Sequence, residues 1–274
     1  MTRSARRTRR TLQMAGAGAA ALLTLSACSS SDPGSDSAKT GPSSSASPRL
    51  SGTVTVFAAA SLKESFTTLG KQFEKEHPGT KVTFNFGGSD TLAASITNGA
   101  PADVFAAASA KTMKIVTGRG DAVGPPATFV RNQLEIATLP GNPDKISSLK
   151  DLTRSGLKAV LCDRTVPCGA AAQTALKAGG LRLTPVSYEQ DVKSALTKVE
   201  LNEADAAVVY RTDVRAAGGR VRGVEFPESA KAVNDYPIAL LKDAPNADAA
   251  KAFIELVKSA EGQKVLTEAG FLKP

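Results

Sequence analysis

The sequence predicts an α/β fold built from parallel strand-helix units, and three observations carry the prediction. Strand-like and helix-like patterns alternate three times between residues 54 and 117, a spacing that suits βα units of a parallel sheet. D-V-F-A-A-A at 103–108 is almost wholly apolar, as befits a strand covered by helices on both faces. Each of these strands runs into a turn with glycine or a hydroxyl residue at the start of the next helix, so helix N-termini collect at the carboxyl ends of the strands.

In V-T-V-F-A-A-A-S-L-K-E-S-F at 54–66, Val54, Val56 and Ala58 alternate with Thr55 and Phe57 as a short strand would. Ser61 and Glu64 fit the S-x-x-E capping box, which would set the serine hydroxyl among free N–H groups that attract anions. The helix up to His77 would bury Leu62, Phe66, Leu69 and Phe73, and His77, Pro78 and Gly79 end it. K-V-T-F-N-F at 81–86 is the next strand, after which Gly87, Gly88 and Ser89 let backbone approach a ligand and lead into a helix over 92–98. Ser109 caps a third helix over 110–117.

A second series begins near Val130, with strands over 133–138 and 158–162 and a short helix at 148–152. In T-V-P-C-G-A-A-A-Q-T-A-L, Pro167 and Gly169 mark a helix start whose N–H groups near Cys168 are free to bind. Asp191 caps a helix over 192–201 that opens on Val192, and A-D-A-A-V-V-Y at 204–210 is a buried strand ending in Tyr210 at a carboxyl edge. Strands at 221–226 and 236–241, then helices begun by Asn246 and Ser259, complete the chain.

Composition narrows the partners. A content of 42% hydrophobic and 22% charged residues excludes disorder of the whole chain. Residues 1–27 hold Arg3, Arg6, Arg7, Arg9 and Arg10, no acid, and an apolar run over 14–25, the pattern of an export signal too short to span a membrane. L-S-A-C at 25–28 resembles a lipobox, which makes Cys28 the expected lipidation site and membrane anchor. Residues 28–50 are dominated by Ser, Ala, Pro, Gly and Asp and read as a flexible tether. Removing the signal lowers the net charge from +8 to +3, and no Trp or basic-aromatic cluster remains, so a small solute is a better partner than nucleic acid. Outside the cytoplasm, Cys162 and Cys168, with five residues between them, are expected to form a disulfide. Neither they nor the single histidine, His77, make a metal site of known spacing, and no cofactor is expected.

In order along the chain, V-T-V-F-A-A-A-S-L at 54–62, G-S-D-T-L at 88–92, N-G-A-P-A-D-V-F at 98–105, V-P-C-G at 166–169, E-Q-D-V-K-S-A-L at 189–196, A-V-V-Y at 207–210 and D-Y-P-I-A at 235–239 resemble the periplasmic molybdate-binding proteins, the solute receptors of molybdate ABC importers. The resemblance covers nearly all of 53–272. It implies a type II periplasmic-binding-protein fold of two α/β lobes with central mixed sheets joined by a two-segment hinge. Lobe 1 would be 51–130 with 234–274, lobe 2 would be 131–233, and the hinge would lie near 128–131 and 230–234. It further implies that molybdate or tungstate is held in the cleft by hydroxyls and N–H groups of Ser61 and Ser89 from the first lobe. Main-chain N–H groups at Cys168 and Val192, with the Tyr210 hydroxyl, would hold it from the second. The chain departs from familiar members at Cys168, where a small residue such as alanine is often found, and at Gly87 and Gly88, where serines occur in some. The implied partners are the permease of the importer and, through Cys28, the outer face of the cell membrane; the protein is expected to act as a monomer and not as an enzyme. A sulfate receptor of the same fold and an enzyme with Cys168 as nucleophile are the competing readings, the second lacking a plausible base.

Overall fold

The computed structural model describes residues 49–274. The signal at 1–27, Cys28 and all but the end of the tether lie outside the described residues.

The first half runs β1 (Ser51–Ala59), α1 (Lys63–Glu76), β2 (Gly79–Gly87), α2 (Ser89–Thr97), β3 (Val104–Ala106), α3 (Ala110–Gly118) and β4 (Ala122–Asn132). There follow β5 (Leu134–Thr138), β6 (Ala159–Cys162), α4 (Pro167–Ala178), β7 (Ser187–Glu189), α5 (Val192–Glu200), β8 (Ala206–Tyr210), α6 (Arg211–Ala217) and β9 (Arg222–Val224). The chain ends with β10 (Asn234–Leu241), α7 (Ala247–Lys258) and α8 (Ala260–Glu268). These strands make two five-stranded mixed sheets, in the orders β2-β1-β3-β10-β4 and β7-β6-β8-β5-β9. In the first, β1 is parallel to β2 and β3, whereas β10 runs antiparallel between β3 and β4. In the second, β6 is parallel to β7 and β8, and β5 is antiparallel to β8 and β9.

Period-2 side chains explain how the first sheet is covered on both faces. Val54, Val56 and Ala58 of β1 pack with Leu62 just before α1, with Phe66, Leu69 and Phe73 of α1 and with Phe253 of α7. Phe57 and Phe105 point the other way, onto Leu92, Ile96, Met113 and Val116 of α2 and α3. The Phe66 and Phe253 rings meet edge to face at 5.9 Å. Each such fully buried side chain contributes about 1.5–3 kcal/mol. A separate core built on Ile136, Val160, Leu161 and Val208 holds the second sheet to α4 and α5.

Three features differ from the sequence reading. No strand is read between 118 and 132, yet β4 fills most of that span, with Gly124, Pro125 and Pro126 inside it. This strand is at the edge of its sheet and its pairing with β10 shifts register twice, so proline's missing N–H costs no ladder bond there. Residues 128–131, expected near the hinge, are paired in β4 and lead directly to the first passage between sheets at Gln133; the chain returns between Val224 and Asn234, the span that includes 230–233. Ser61 does not cap α1: a 3-10 turn at Ala60–Leu62 precedes the helix, so the serine backbone is already wound and its side chain is turned away from the N-terminal amides. Asn246 makes no side-chain cap on α7 either; its amide donates to the Ser51 carbonyl at 2.8 Å and its backbone N–H to Asp103 at 2.6 Å, tying β10's exit to β1.

Candidate functional site

Ser61, Ser89, Cys168, Val192 and Tyr210 come from four segments of helix start and one strand end, and all five line one cavity of about 20 Å³. A single water needs roughly 10–15 Å³, so only a small solute fits the space as it stands. The first two residues approach from the side of the first sheet and the other three from the second. Among the described residues no lysine or arginine lines it.

Two of the three hydroxyls accept from a fixed donor. Ser89 opens α2 and is buried; its oxygen accepts the Ala108 backbone N–H at 3.0 Å, which leaves its hydrogen for the cavity. Tyr210 closes β8, with its backbone N–H donated to Asp213 at 3.1 Å. Its hydroxyl oxygen accepts from Asn234 Nδ2 at 2.7 Å. Burial first, and the neighbouring Tyr236 hydroxyl next, push the Tyr210 phenol well above its ordinary range, so it stays a donor at any physiological pH. Ser61 Oγ lies 2.8 Å from the Tyr236 hydroxyl, which in turn receives Asn132 Nδ2 at 3.4 Å.

Backbone donors supply the rest. In α4, Pro167 takes the first position and gives up an N–H that would have had no partner, and the N–H groups of Cys168 and Gly169 follow without intrahelical acceptors. A Cβ on Gly169 would come within 1.8 Å of the Asp163 carbonyl oxygen, so only glycine lets this helix start lie so close to the β6 end. Cys168 is bonded to Cys162 as a disulfide, fixing the α4 start to the last residue of β6. At α5 the Asp191 carboxylate accepts from Lys193 and Ser194 at 2.8 and 3.0 Å, which uses two of the first-turn amides and leaves that of Val192 for the cavity. The N-terminal ends of α2, α4 and α5 thus converge with their positive dipole ends on one small space.

The two halves are closed onto one another around this space. A Cβ on Gly88, which begins α2, would meet the Gln190 carbonyl across the cleft at 2.7 Å. Lys193 Nζ reaches Glu64 on α1 at 2.9 Å and Asp213 on α6 at 3.2 Å, so one ammonium joins both halves. Asp213 is fully buried, and burial, outweighing the opposing pull of Lys193, raises its carboxyl to about 6. Asp213 and Lys193, like Asn132, Asn234 and Tyr236, were not singled out by the sequence. Of these, Tyr236 and Lys193 lay in quoted stretches, D-Y-P-I-A and E-Q-D-V-K-S-A-L, and their partners are 20 to 175 residues away. Among the described residues no group of three or more His, Cys, Asp or Glu side chains is placed to hold a metal cation.

The family described as bacterial extracellular solute-binding protein matches residues 54–272. The molybdate-binding protein ModA of Mycobacterium tuberculosis (strain ATCC 25618 / H37Rv) is 43% identical over 250 residues, 91% of this chain and 93% of its own. That of Escherichia coli (strain K12) is 33% identical over 230 residues, 80% of this chain and 89% of its own. The solved periplasmic molybdate-binding protein of Azotobacter vinelandii superposes with a TM-score of 0.71 over 81% of this chain and 99% of its own, at 22% identity, and shows the same fold.

Proposed function

The chain belongs to the bacterial extracellular solute-binding proteins, and on that footing we propose that it captures molybdate between its two lobes and delivers it to an ABC importer. One observation carries the reading: the cavity presents hydroxyl and amide hydrogens from both sides, and the carboxylate in its lining, Asp191, already accepts from the Lys193 and Ser194 amides and the Ser194 hydroxyl. A tetrahedral dianion without a proton, such as molybdate or tungstate, accepts from all of them. Hydrogen phosphate carries the same charge but brings a proton that finds no acceptor, and a buried unmatched donor costs about 1–3 kcal/mol. Ser61, Ser89, the N–H groups at Cys168 and Val192, and Tyr210 are the proposed contacts. No cation is required, because three helix N-termini and the hydroxyls neutralise the anion by short hydrogen bonds. Catalysis through Cys168 has no support, since its sulfur is bonded to Cys162.

The lobes we assign to 51–130 with 234–274 and to 131–233 close over the anion by rotation about the two passages between sheets, and the closed surface is what the permease reads. The thermal midpoint of the mature protein tests the ligand. Molybdate or tungstate at 100 times its dissociation constant should stabilise by about 2.7 kcal/mol. Stabilisation by sulfate or phosphate with none by molybdate would overturn the assignment.

The protein works outside the cytoplasm, and the L-S-A-C stretch supports attachment of lipid to Cys28 after removal of residues 1–27, with 28–50 as the tether. Replacing Cys28 with alanine should shift the protein from the membrane fraction to the soluble exported fraction. An unchanged membrane fraction in that variant would count against the anchor.

A further inference from the structure

Asn132 is the last residue of β4 and Asn234 the first of β10, and the two are direct partners in the antiparallel register where the chain passes between sheets. Their amides are held in a fixed sense by groups that hydrogen-bond in only one direction. Asn132 Oδ1 accepts the Gln133 backbone N–H at 3.0 Å, so its other arm is the NH₂ group. That arm donates to Thr212 Oγ1 at 2.9 Å and toward the Tyr236 hydroxyl at 3.4 Å. Asn234 Nδ2 faces the carbonyl oxygens of Ala108 at 2.9 Å and Pro167 at 3.4 Å, which only accept, and it reaches the Tyr210 hydroxyl at 2.7 Å.

An NH₂ group cannot accept a hydrogen bond. The Tyr210 oxygen therefore spends a lone pair on Asn234, and because the same amide occupies the Ala108 and Pro167 carbonyls beside it, the Tyr210 hydrogen is free to turn to the cavity. On the opposite wall the Tyr236 oxygen receives Asn132, which leaves the Tyr236 hydrogen free to go to Ser61 Oγ; in that arrangement the Ser61 hydrogen too is left for the cavity. Resting on the reading of this cavity as an oxyanion site, we infer that Asn132 and Asn234 are positioning residues that set the proton direction of Ser61 and Tyr210, and so make the site select a fully deprotonated tetrahedral anion over a protonated one of equal charge. Without Asn234 the Ala108 carbonyl becomes an open acceptor beside Tyr210. The phenol can then turn its hydrogen away and offer a lone pair, which suits hydrogen phosphate and not molybdate.

A double-mutant cycle on the mature protein at pH 7.5 tests this, with molybdate affinity and competition by inorganic phosphate as readouts. Tyr210→Phe alone should weaken molybdate binding about 10- to 100-fold, the loss of one hydrogen bond to an anion. Asn234→Ala should cost about tenfold in the parent and less than about twofold in the Tyr210→Phe background, because it acts through that hydroxyl. In the parent background it should also narrow the preference for molybdate over phosphate by about tenfold, which a merely structural contact would leave unchanged. Asn132→Ala paired with Ser61→Ala gives the same test on the other wall, and carries it if Asn234→Ala does not fold. Equal costs in both backgrounds with an unchanged anion preference would overturn the roles of the asparagines while leaving the oxyanion site standing. A parent protein that binds no molybdate would instead sink the oxyanion reading itself.

Discussion

Replacing Gly88 with valine is expected to lower molybdate affinity at least about 100-fold while shifting the ligand-free thermal midpoint by no more than a few degrees. The two effects separate because of where the new side chain would go. Gly88 has φ −61° and ψ 130°, extended backbone open to any residue, so the substitution carries no conformational penalty. Of the atoms its Cβ would meet, Asp90 Oδ1 at 2.9 Å ends a side chain that can rotate, whereas the Gln190 carbonyl at 2.7 Å is backbone of the opposite lobe. The first lobe therefore keeps its packing, and the cost falls on closure. A ligand can shift the open-closed equilibrium only by its differential affinity for the two states, so a steric block of several kcal/mol removes most of the binding energy. Titration calorimetry on the variant checks it; parent-like affinity would mean that the anion is held without the lobes meeting at Gly88.

Lys193→Met is the second large effect, and it should appear in stability. Lys193 is the partner of a fully buried carboxylate, and removing one member of a buried pair costs about 3–5 kcal/mol because the other charge is left behind. Lys193 is 22% exposed, which moderates this to about 2–3 kcal/mol, or roughly 5–10 °C for a domain of this size. The pH dependence has a defined sign. The Asp213 carboxyl is raised to about 6 from an ordinary 3.8, so between those values the native state binds more protons than the unfolded chain, and this group's contribution to stability falls as pH rises. Loss of Lys193 raises the carboxyl further and carries that fall to higher pH. The stability gap between parent and variant should therefore be wide at pH 8 and narrow at pH 5, where Asp213 is protonated in both. A gap independent of pH would assign the loss to packing of the lysine stem. The Glu64 arm of the same ammonium joins the lobes at the surface, where Glu64 is half exposed and contributes little by itself.

What the sequence made legible was local. The hydroxyl of Ser109, the carboxylate of Asp191 and the hydroxyl of Ser259 cap α3, α5 and α8 as read, because an N-cap and its amides lie within three residues of one another. The apolar run at 103–108 does sit under helices on both faces. The sequence pattern failed where tertiary context overrode a local rule. β4 absorbs two prolines because it is an edge, and Ser61 forgoes its capping box because a 3-10 turn carries it toward Tyr236, 175 residues on. The ring of groups behind the cavity was invisible for the same reason. Asn132, Asn234 and Tyr236 have no motif of their own; each acquires its task only when two distant strands come into register.

The insertion of β10 between β3 and β4 has a consequence for the order of folding. The second sheet is encoded without interruption by residues 134–224 and can form as soon as that stretch is complete. The first sheet cannot: until 234–241 is present, β3 and β4 each present an unpaired edge to the other, and Asn234, the partner of the Tyr210 hydroxyl, is missing. A chain truncated before that point thus lacks a finished binding cleft and shows a protease an open sheet, so completeness of the chain is checked by the fold itself.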